Sequence, residues 1–303
     1  RMICRYRLLF TVLLLVLFAV GSCGDSSSPA AAEFDPANRF AYKSRRRGNE
    51  EIYTATVDGA SELNLTDHPG QDSSPAWSPD GSKIAFVSDR DLDFELYMMD
   101  ADGTNQIRLT DRSGEDVAPA WSPDGSRIAY TAEEIGNFDI FMMNPDGSDV
   151  VQLTTGRGSD GSPAWSPDGT SLAFESRRDG NFEIYVMDVA TGATIRLTDH
   201  PAWDSSPAWS PDGTRLAFTS SRDADFEIYS MNVDGGDLKR ITRRPGNDGG
   251  AAWSPDGLRI AFQSIELASF QIFMIDPDGD NLVQLTNNIE DDTSPAWFPI
   301  PLQ

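Results

Sequence analysis

The spacing of tryptophan constrains this chain more than any other feature of its sequence. Six tryptophans follow one another at intervals of 44 residues: Trp77, Trp121, Trp165, Trp209, Trp253 and Trp297. The surrounding heptapeptide Pro-Ala-Trp-Ser-Pro-Asp-Gly is intact in four copies, carries Ala251 in place of its first proline in the fifth, and decays in the sixth. Because this register has no gap, we predict a fold made of equal structural units.

Each unit contains four short segments with strand-like composition. In the unit that begins at Pro75, the pattern predicts strands at Pro75–Trp77, Lys83–Val87, Glu95–Met99 and Gln106–Thr110. The first two are separated by Ser-Pro-Asp-Gly, in which proline suits the second position of a turn and glycine supplies a positive φ. Four antiparallel strands in 44 residues are typical of one blade of a β-propeller.

The two ends of the repeat determine the number of blades. The first unit contains only the last three strands, predicted at Arg39–Lys43, Glu51–Ala55 and Glu62–Leu65, whereas the last unit contains only a first strand at Pro295–Trp297. We therefore expect the C-terminal strand to complete the first blade, which removes exposed sheet edges. The predicted fold class is all-β, a six-bladed β-propeller of four-stranded antiparallel blades.

One column of small residues predicts close packing between blades. The second strand of every unit carries an alanine flanked by large apolar residues: Ala41, Ala85, Ala129, Ala173, Ala217 and Ala261. We interpret these positions as the places where neighbouring sheets approach most closely.

Loop length predicts which face of the disc binds a ligand. The turns after the first and third strands are short and uniform, whereas the opposite face carries longer loops such as Ser88–Phe94 and crossovers such as Asp111–Ala118. Longer, more variable loops on a rigid scaffold are the usual place for a binding surface.

Two columns of acids lie on that long-loop face. An aspartate stands five residues before every tryptophan of the series: Asp72, Asp116, Asp160, Asp204, Asp248 and Asp292. These aspartates either cap the crossover turns or form an anionic ring at the channel mouth that attracts a cation such as Ca²⁺ or a basic peptide. The second column is Glu51, Glu95, Asp139, Glu183, Glu227 and Gln271, which we expect to pair with the loop arginines Arg46, Arg90, Arg178 and Arg222. The adjacent phenylalanines, such as Phe94 and Phe182, are expected in the core.

Three residues depart from the repeat and are candidates for partner binding. Trp203 is the only tryptophan outside the series, and either offers a stacking platform for a sugar or peptide or covers the core. His68 and His200 are the only histidines and stand three units apart, which argues against a shared metal or acid–base site.

The N-terminal segment resembles a bacterial lipoprotein signal. Basic residues precede an apolar run, Leu8–Val20, and Gly21-Ser22 precede Cys23, which the resemblance makes the lipidated mature N-terminus. The alternative is an ordinary signal peptide with an incidental cysteine. We assign residues 1–22 to the signal peptide, 23–38 to a flexible tether, 39–299 to the propeller and 300–303 to a tail. The anchor implies a bacterial membrane, and Gly24 favours the outer membrane.

Charge restricts the class of partner. The chain has 24 basic and 48 acidic residues and a net charge of −24, so its surface repels nucleic acid. We expect a monomer whose partner in the cell envelope is a protein or a basic peptide.

The Trp-Ser-Pro-Asp-Gly, Ile-Ala-Phe and Ile-Tyr-x-Met-Asp elements resemble the WD-like repeat of TolB-type propellers over residues 39–299. The resemblance implies a periplasmic, six-bladed propeller that binds proteins across its channel mouth. We do not expect the N-terminal domain of TolB itself before the repeat, because a lipoprotein-like segment precedes the repeat instead. The predicted function is a non-catalytic binding scaffold, because near-identical blades do not gather the unlike groups that catalysis requires. The alternative is a carbohydrate-binding or carbohydrate-active propeller, a lyase or hydrolase. A propeller peptidase would need an attached hydrolase domain, which we do not expect because the repeat stops close to Gln303.

Overall fold

A computed structural model describes residues 39–46, 48–59, 61–266 and 268–299. Residues 1–38, to which the predicted signal peptide, Cys23 and the predicted tether belong, and residues 300–303 lie outside these ranges. The strands in chain order are β1 (Arg39–Ser44), β2 (Glu51–Thr56), β3 (Glu62–Asn64), β4 (Asp72–Trp77), β5 (Lys83–Ser88), β6 (Glu95–Asp100), β7 (Ile107–Arg108), β8 (Asp116–Trp121), β9 (Ile128–Glu134), β10 (Asn137–Met143), β11 (Val151–Gln152), β12 (Asp160–Trp165), β13 (Ser171–Ser176), β14 (Glu183–Asp188), β15 (Thr194–Arg196), β16 (Asp204–Trp209), β17 (Arg215–Asp223), β18 (Asp225–Asn232), β19 (Lys239–Arg240), β20 (Asp248–Trp253), β21 (Ile260–Glu266), β22 (Ser269–Ile275), β23 (Val283–Gln284) and β24 (Asp292–Trp297).

These strands form six four-stranded antiparallel sheets, so the predicted six-bladed propeller is confirmed. Blade 1 has the order β24-β1-β2-β3, and blades 2 to 6 each use four consecutive strands, from β4–β7 to β20–β23. Phe40 pairs with Trp297 and Ala41 with Ala296, so the last strand completes the first blade as expected. The inner strand of each blade begins three residues earlier than predicted, at the aspartate that stands five residues before the repeated tryptophan. The outer strand is shorter than predicted, as in blade 2, where it covers only Ile107–Arg108.

The core lies between blades, where a small residue of one sheet meets large residues of the next. Ala173 of blade 4 is completely buried and clusters with Leu216 and Phe218 of blade 5. Ala129 of blade 3 contacts Leu172 and Phe174 of blade 4 in the same arrangement. The alanine column is therefore at the site of closest approach, because a larger side chain would overlap the aromatic ring opposite.

The repeated tryptophans connect neighbouring inner strands. The indole N–H of Trp121 donates to the carbonyl of Ala76 in the preceding blade at 3.2 Å, and Trp165 donates to Ala120 at 3.1 Å. At the closure, Trp77 instead packs edge-on against Phe298, with ring centroids 4.9 Å apart. Four of the six tryptophans thus link neighbouring inner strands by a hydrogen bond: Trp121, Trp165, Trp209 and Trp297.

The short turns follow the predicted chemistry. In blade 2, the Ser78 hydroxyl donates to Asp80 at 2.6 Å, and Gly81 adopts a φ of +70°. A Cβ atom on Gly81 would lie 2.4 Å from the Phe298 ring, so this glycine is required both by its φ and by the close approach of the closing segment. No helix in the described ranges is long and apolar enough to cross a membrane.

Candidate functional site

The long-loop face is formed by the loops between the second and third strands of each blade and by the crossovers between blades. The first residue of each inner strand and the first residue of several third strands also lie at this face, as Asp72 and Glu95 show in blade 2. Both acidic columns predicted from the sequence therefore belong to this end of the molecule.

The aspartate column is buried. All six members are at most 3 % exposed, which places their carboxylates beneath the loops rather than on an open rim. In four blades a loop arginine neutralises the aspartate: Arg90 lies 2.9 Å from Asp72, Arg178 2.9 Å from Asp160, Arg222 2.8 Å from Asp204, and Arg46 3.0 Å from Asp292. Each pair anchors a loop to the start of an inner strand.

The expected pairing of these loop arginines with the glutamate column is wrong. The glutamates instead hold the crossovers, as Glu183 does by accepting the backbone N–H of His200 at 2.9 Å and the hydroxyl of Thr198 at 2.6 Å. Glu183 also pairs with Arg196 of the outer strand at 3.0 Å. Both columns are acidic, and only the path of the backbone decides which carboxylate the loop arginine reaches.

Blades 3 and 6 carry a different arginine at this face, and in blade 3 it pairs with Glu134 at 2.8 Å instead of with the aspartate. Their loops carry an acid where the other blades carry arginine, and Arg112 and Arg244 enter from the crossovers instead. The Arg112 guanidinium lies 4.3 Å from the Phe141 ring centroid and that of Arg244 lies 4.4 Å from Phe273. Loop arginines such as Arg90 stack on the equivalent tyrosines, 4.7 Å from Tyr97. The exchange is visible in the sequence as two correlated departures from the repeat, but it becomes interpretable only in the fold.

The exchange alters the chemistry of two buried acids. Burial raises the pKa of Asp116 to about 7, and the neighbouring charge of Glu95 adds to the effect. Burial likewise raises the pKa of Asp248 to about 6, with a contribution from Glu227. One oxygen of Asp116 and both oxygens of Asp248 have no hydrogen-bond partner among the described residues. The six aspartates are therefore not electrostatically equivalent.

The two histidines occupy equivalent turns in blades 1 and 4. Nδ1 of His68 accepts the N–H of Gly70 at 3.0 Å, and Nδ1 of His200 accepts the N–H of Ala202 at 3.1 Å. The side-chain amides of Asn49 and Asn181 donate hydrogen bonds to the backbone carbonyls of His68 and His200, respectively. Each imidazole thus closes its own crossover turn, and a role in partner binding stays a prediction.

Trp203 is half exposed in the crossover between blades 4 and 5, so it does not cover the core completely. Its ring meets the Phe182 ring edge-on, with centroids 6.1 Å apart. Phe182 and its equivalents are half buried at the long-loop face. Phe94 packs against the core between blades 2 and 3, whereas Phe138 and Phe182 line an open cleft, so the expectation that this column belongs to the core is confirmed only for Phe94.

Two clefts open beside these phenylalanines. The cleft between blades 3 and 4 has a volume of about 200 Å³ and includes Phe138, Phe182 and Glu175. The cleft between blades 5 and 6, of about 290 Å³, has the equivalent residues Phe226, Phe270 and Gln263. Sequence reasoning missed Glu175, although it is the only acid in its column of the repeat.

The two interpretations of the aspartate column, turn capping and a cation ring, stay predictions. Within the residues that the structure describes, no three His, Cys, Asp or Glu side chains are grouped closely enough to hold a metal ion. The arginine pairs already satisfy much of the negative charge of the aspartate column in four blades.

Comparison with known proteins agrees with this geometry. The family model described as TolB beta propeller domain matches residues 24–157 and 91–300. TolB from Acinetobacter baumannii is 25 % identical, with a TM-score of 0.80 over 88 % of this chain and 68 % of that one. A putative TolB from Agrobacterium tumefaciens is 24 % identical, with a TM-score of 0.72 over 87 % of this chain and 99 % of that one.

An oligogalacturonate lyase from Vibrio parahaemolyticus is more distant, at 17 % identity and a TM-score of 0.55 over 82 % of this chain and 71 % of that one, and this likeness shows the fold alone. A search of curated protein sequences finds no match. The family model covers nearly the whole repeat, and the chain therefore belongs to the TolB beta-propeller domain family.

Proposed function

We propose that this chain is a lipid-anchored protein of the bacterial cell envelope that binds another protein or peptide through its long-loop face, without catalysis. Membership of the TolB propeller family supports a binding scaffold. Anchoring through Cys23 and an outer-membrane location rest on the lipoprotein-like N-terminal segment.

The observation that carries the proposal is the exposure of large apolar side chains at the tips of the long loops. Leu92 and Ile135 are almost fully exposed at the tips of adjacent blades, and both have a positive φ, of 92° and 53°. A positive φ is unfavourable for such side chains, and because they are exposed, no packing in the core compensates for this conformational cost. Ile289, in the crossover into blade 1, is also 90 % exposed. Apolar tips held at such a cost fit a surface that becomes buried against a partner.

Site-specific photo-crosslinking in intact cells tests the proposal. A photoreactive amino acid replaces Leu92, Ile135 or Ile289 on the long-loop face of the full chain. Leu258, 63 % exposed in a short turn of blade 6, provides a matched apolar control on the opposite face. We expect one discrete envelope protein or peptide to be cross-linked from the long-loop positions and not from Leu258. Cross-links confined to Leu258, or none from any position, would contradict the proposed face.

A further inference from the structure

The cleft between blades 3 and 4 has the dimensions of a pocket for a single side chain. Its volume of about 200 Å³ is smaller than the roughly 300–1,000 Å³ of typical small-molecule pockets. Phe138 and Phe182 provide aromatic surface, and Gly161 leaves space beside the Glu175 carboxylate, whose Oε1 would lie 3.4 Å from a Cβ at that position.

Negative charge in this cleft is only partly compensated. The Glu175 carboxylate accepts the backbone N–H of Ser206 at 2.9 Å, and no lysine or arginine of the described residues lies within ion-pair distance of it. Asp160 also lines the cleft, and one of its oxygens pairs with Arg178 at 2.9 Å. Its other oxygen, Oδ1, is buried and has no hydrogen-bond partner among the described residues. A buried acceptor in this state favours a donor supplied by a ligand.

The repeat shows that the negative charge of Glu175 is not needed for folding. In equivalent positions, Thr131, Thr219 and Gln263 accept the same backbone hydrogen bond from the next blade, at 3.1, 3.3 and 3.0 Å. The cleft between blades 5 and 6 is lined by equivalent residues around the neutral Gln263. Val87 and Lys43 occupy this position in blades 2 and 1 and cannot accept such a bond. The fold therefore tolerates several residue types here, whereas the negative charge is particular to blade 4.

Trp203 is a second departure from the repeat, next to the same cleft. Two of its counterparts, Asn247 and Asp291, accept a backbone N–H from the loop phenylalanine at 3.1 and 2.8 Å, which an indole cannot do. The Trp203 backbone is fixed by two hydrogen bonds to Ser221, both 3.0 Å long. Since its ring contacts Phe182, which lines the cleft, the exposed indole and the cleft form one continuous surface.

We propose that the cleft between blades 3 and 4 binds a lysine side chain of an extended peptide, and that an apolar neighbour of this lysine packs on Trp203. The inference rests on the proposed function and names the chemistry of its ligand. Lysine has a slender aliphatic stem and a compact ammonium, which fit a small cleft whose acceptors, Glu175 and Asp160, lie on different strands. Arginine fits less well, because its planar guanidinium prefers two oxygens of a single carboxylate. The Arg177 guanidinium, 5.2 Å from the Phe182 ring centroid, shows that this ring already accepts a cation.

The test uses the Trp203 indole N–H resonance of the full chain, assigned with Trp203→Phe. The probe is the peptide acetyl-Ser-Lys-Leu-Ser-amide, with its acetyl-lysine and arginine forms as controls. We expect the lysine peptide to shift the Trp203 signal saturably, with at least tenfold weaker binding for the acetyl-lysine form and weaker binding for the arginine form.

Two variants of the protein test the cleft itself. Glu175→Gln, which copies Gln263, should weaken binding of the lysine peptide at least tenfold while keeping the melting temperature of the wild type. Gly161→Val, which copies Val117 of blade 3, should abolish binding by filling the cleft.

Equal binding of the lysine and acetyl-lysine peptides, or unchanged binding by Glu175→Gln, would overturn the inference. So would a Trp203 shift with a neutral oligosaccharide and none with the lysine peptide. If the lysine peptide fails while cross-links from Leu92 or Ile135 persist, the lysine pocket is wrong and the proposed function stands. If chains with the photoreactive residue at Leu92 or Ile135 and no other substitution give no cross-links, the proposed function is contradicted.

Discussion

Replacing Asp116 by Asn should stabilise the protein at neutral and alkaline pH. Asp116 is 1 % exposed, and its folded-state pKa of about 7 lies far above the ordinary value of 3.8. Below pH 4 the carboxyl is protonated in both the folded and the unfolded chain, so it contributes no difference. Between pH 4 and 7 the unfolded chain loses this proton first, and the free energy of unfolding falls by up to about 1.4 kcal/mol per pH unit. Above pH 7 the full cost of a buried charge is present, on the order of a few kcal/mol.

The repeat supplies a matched control for this substitution. Asp72 occupies the equivalent position in blade 2 but lies 2.9 and 3.1 Å from the Arg90 guanidinium. Asp72→Asn removes one partner of a buried ion pair, so we expect it to destabilise the protein by about 3–5 kcal/mol near pH 8. Asp116→Asn should instead raise stability by about 2–4 kcal/mol at pH 8 and change it little at pH 4.

Urea unfolding at pH 4, 6 and 8, followed by tryptophan fluorescence, measures both substitutions. The decisive quantity is the difference in unfolding free energy between each variant and the wild type as a function of pH. Destabilisation by Asp116→Asn at pH 8, similar to that by Asp72→Asn, would refute the electrostatic distinction between blades 2 and 3. A stabilisation that does not diminish at pH 4 would show that its cause is not the charge of Asp116.

Three further predictions test packing, anchoring and metal binding. Ala173→Phe should overpack the junction of blades 4 and 5 and lower stability by about 1–3 kcal/mol, so an unchanged melting temperature would place this alanine elsewhere. Cys23→Ser should abolish incorporation of radiolabelled palmitate in cells, and labelling of the variant would contradict lipidation at this residue. Because arginines hold four of the six ring aspartates, we expect millimolar Ca²⁺ to leave the melting temperature unchanged; a saturable increase would instead support a cation ring.

The blades could be predicted because their signals are local and repeated. The Ser-Pro-Asp-Gly turn, the alternation of strand residues and the alanine column each depend on neighbours a few residues away or on the same contact made in successive blades. Closure by Trp297 followed from counting incomplete units, and the pairing of Phe40 with Trp297 confirms it. Strand ends were less certain, since the inner strand extends to Asp72 through contacts with its neighbour rather than through its own composition.

The candidate site was harder to predict because its contacts join residues from different loops. Arg90 could pair with Asp72 or Glu95, and only the fold shows that it reaches Asp72. Similarly, Glu175 occupies a variable column, and its importance appears only when the fold brings it into one cleft with Asp160 and beside Trp203.

The sequence by itself determined the number of blades, their strand order, the closing strand and the face that carries the long loops. Tertiary structure alone decided which acids are neutralised, which keep a raised pKa, and which departures from the repeat share one surface. The physical reason is that periodic local patterns repeat their information six times, whereas the charge balance at Asp116 or Glu175 depends on side chains that converge only once, in three dimensions.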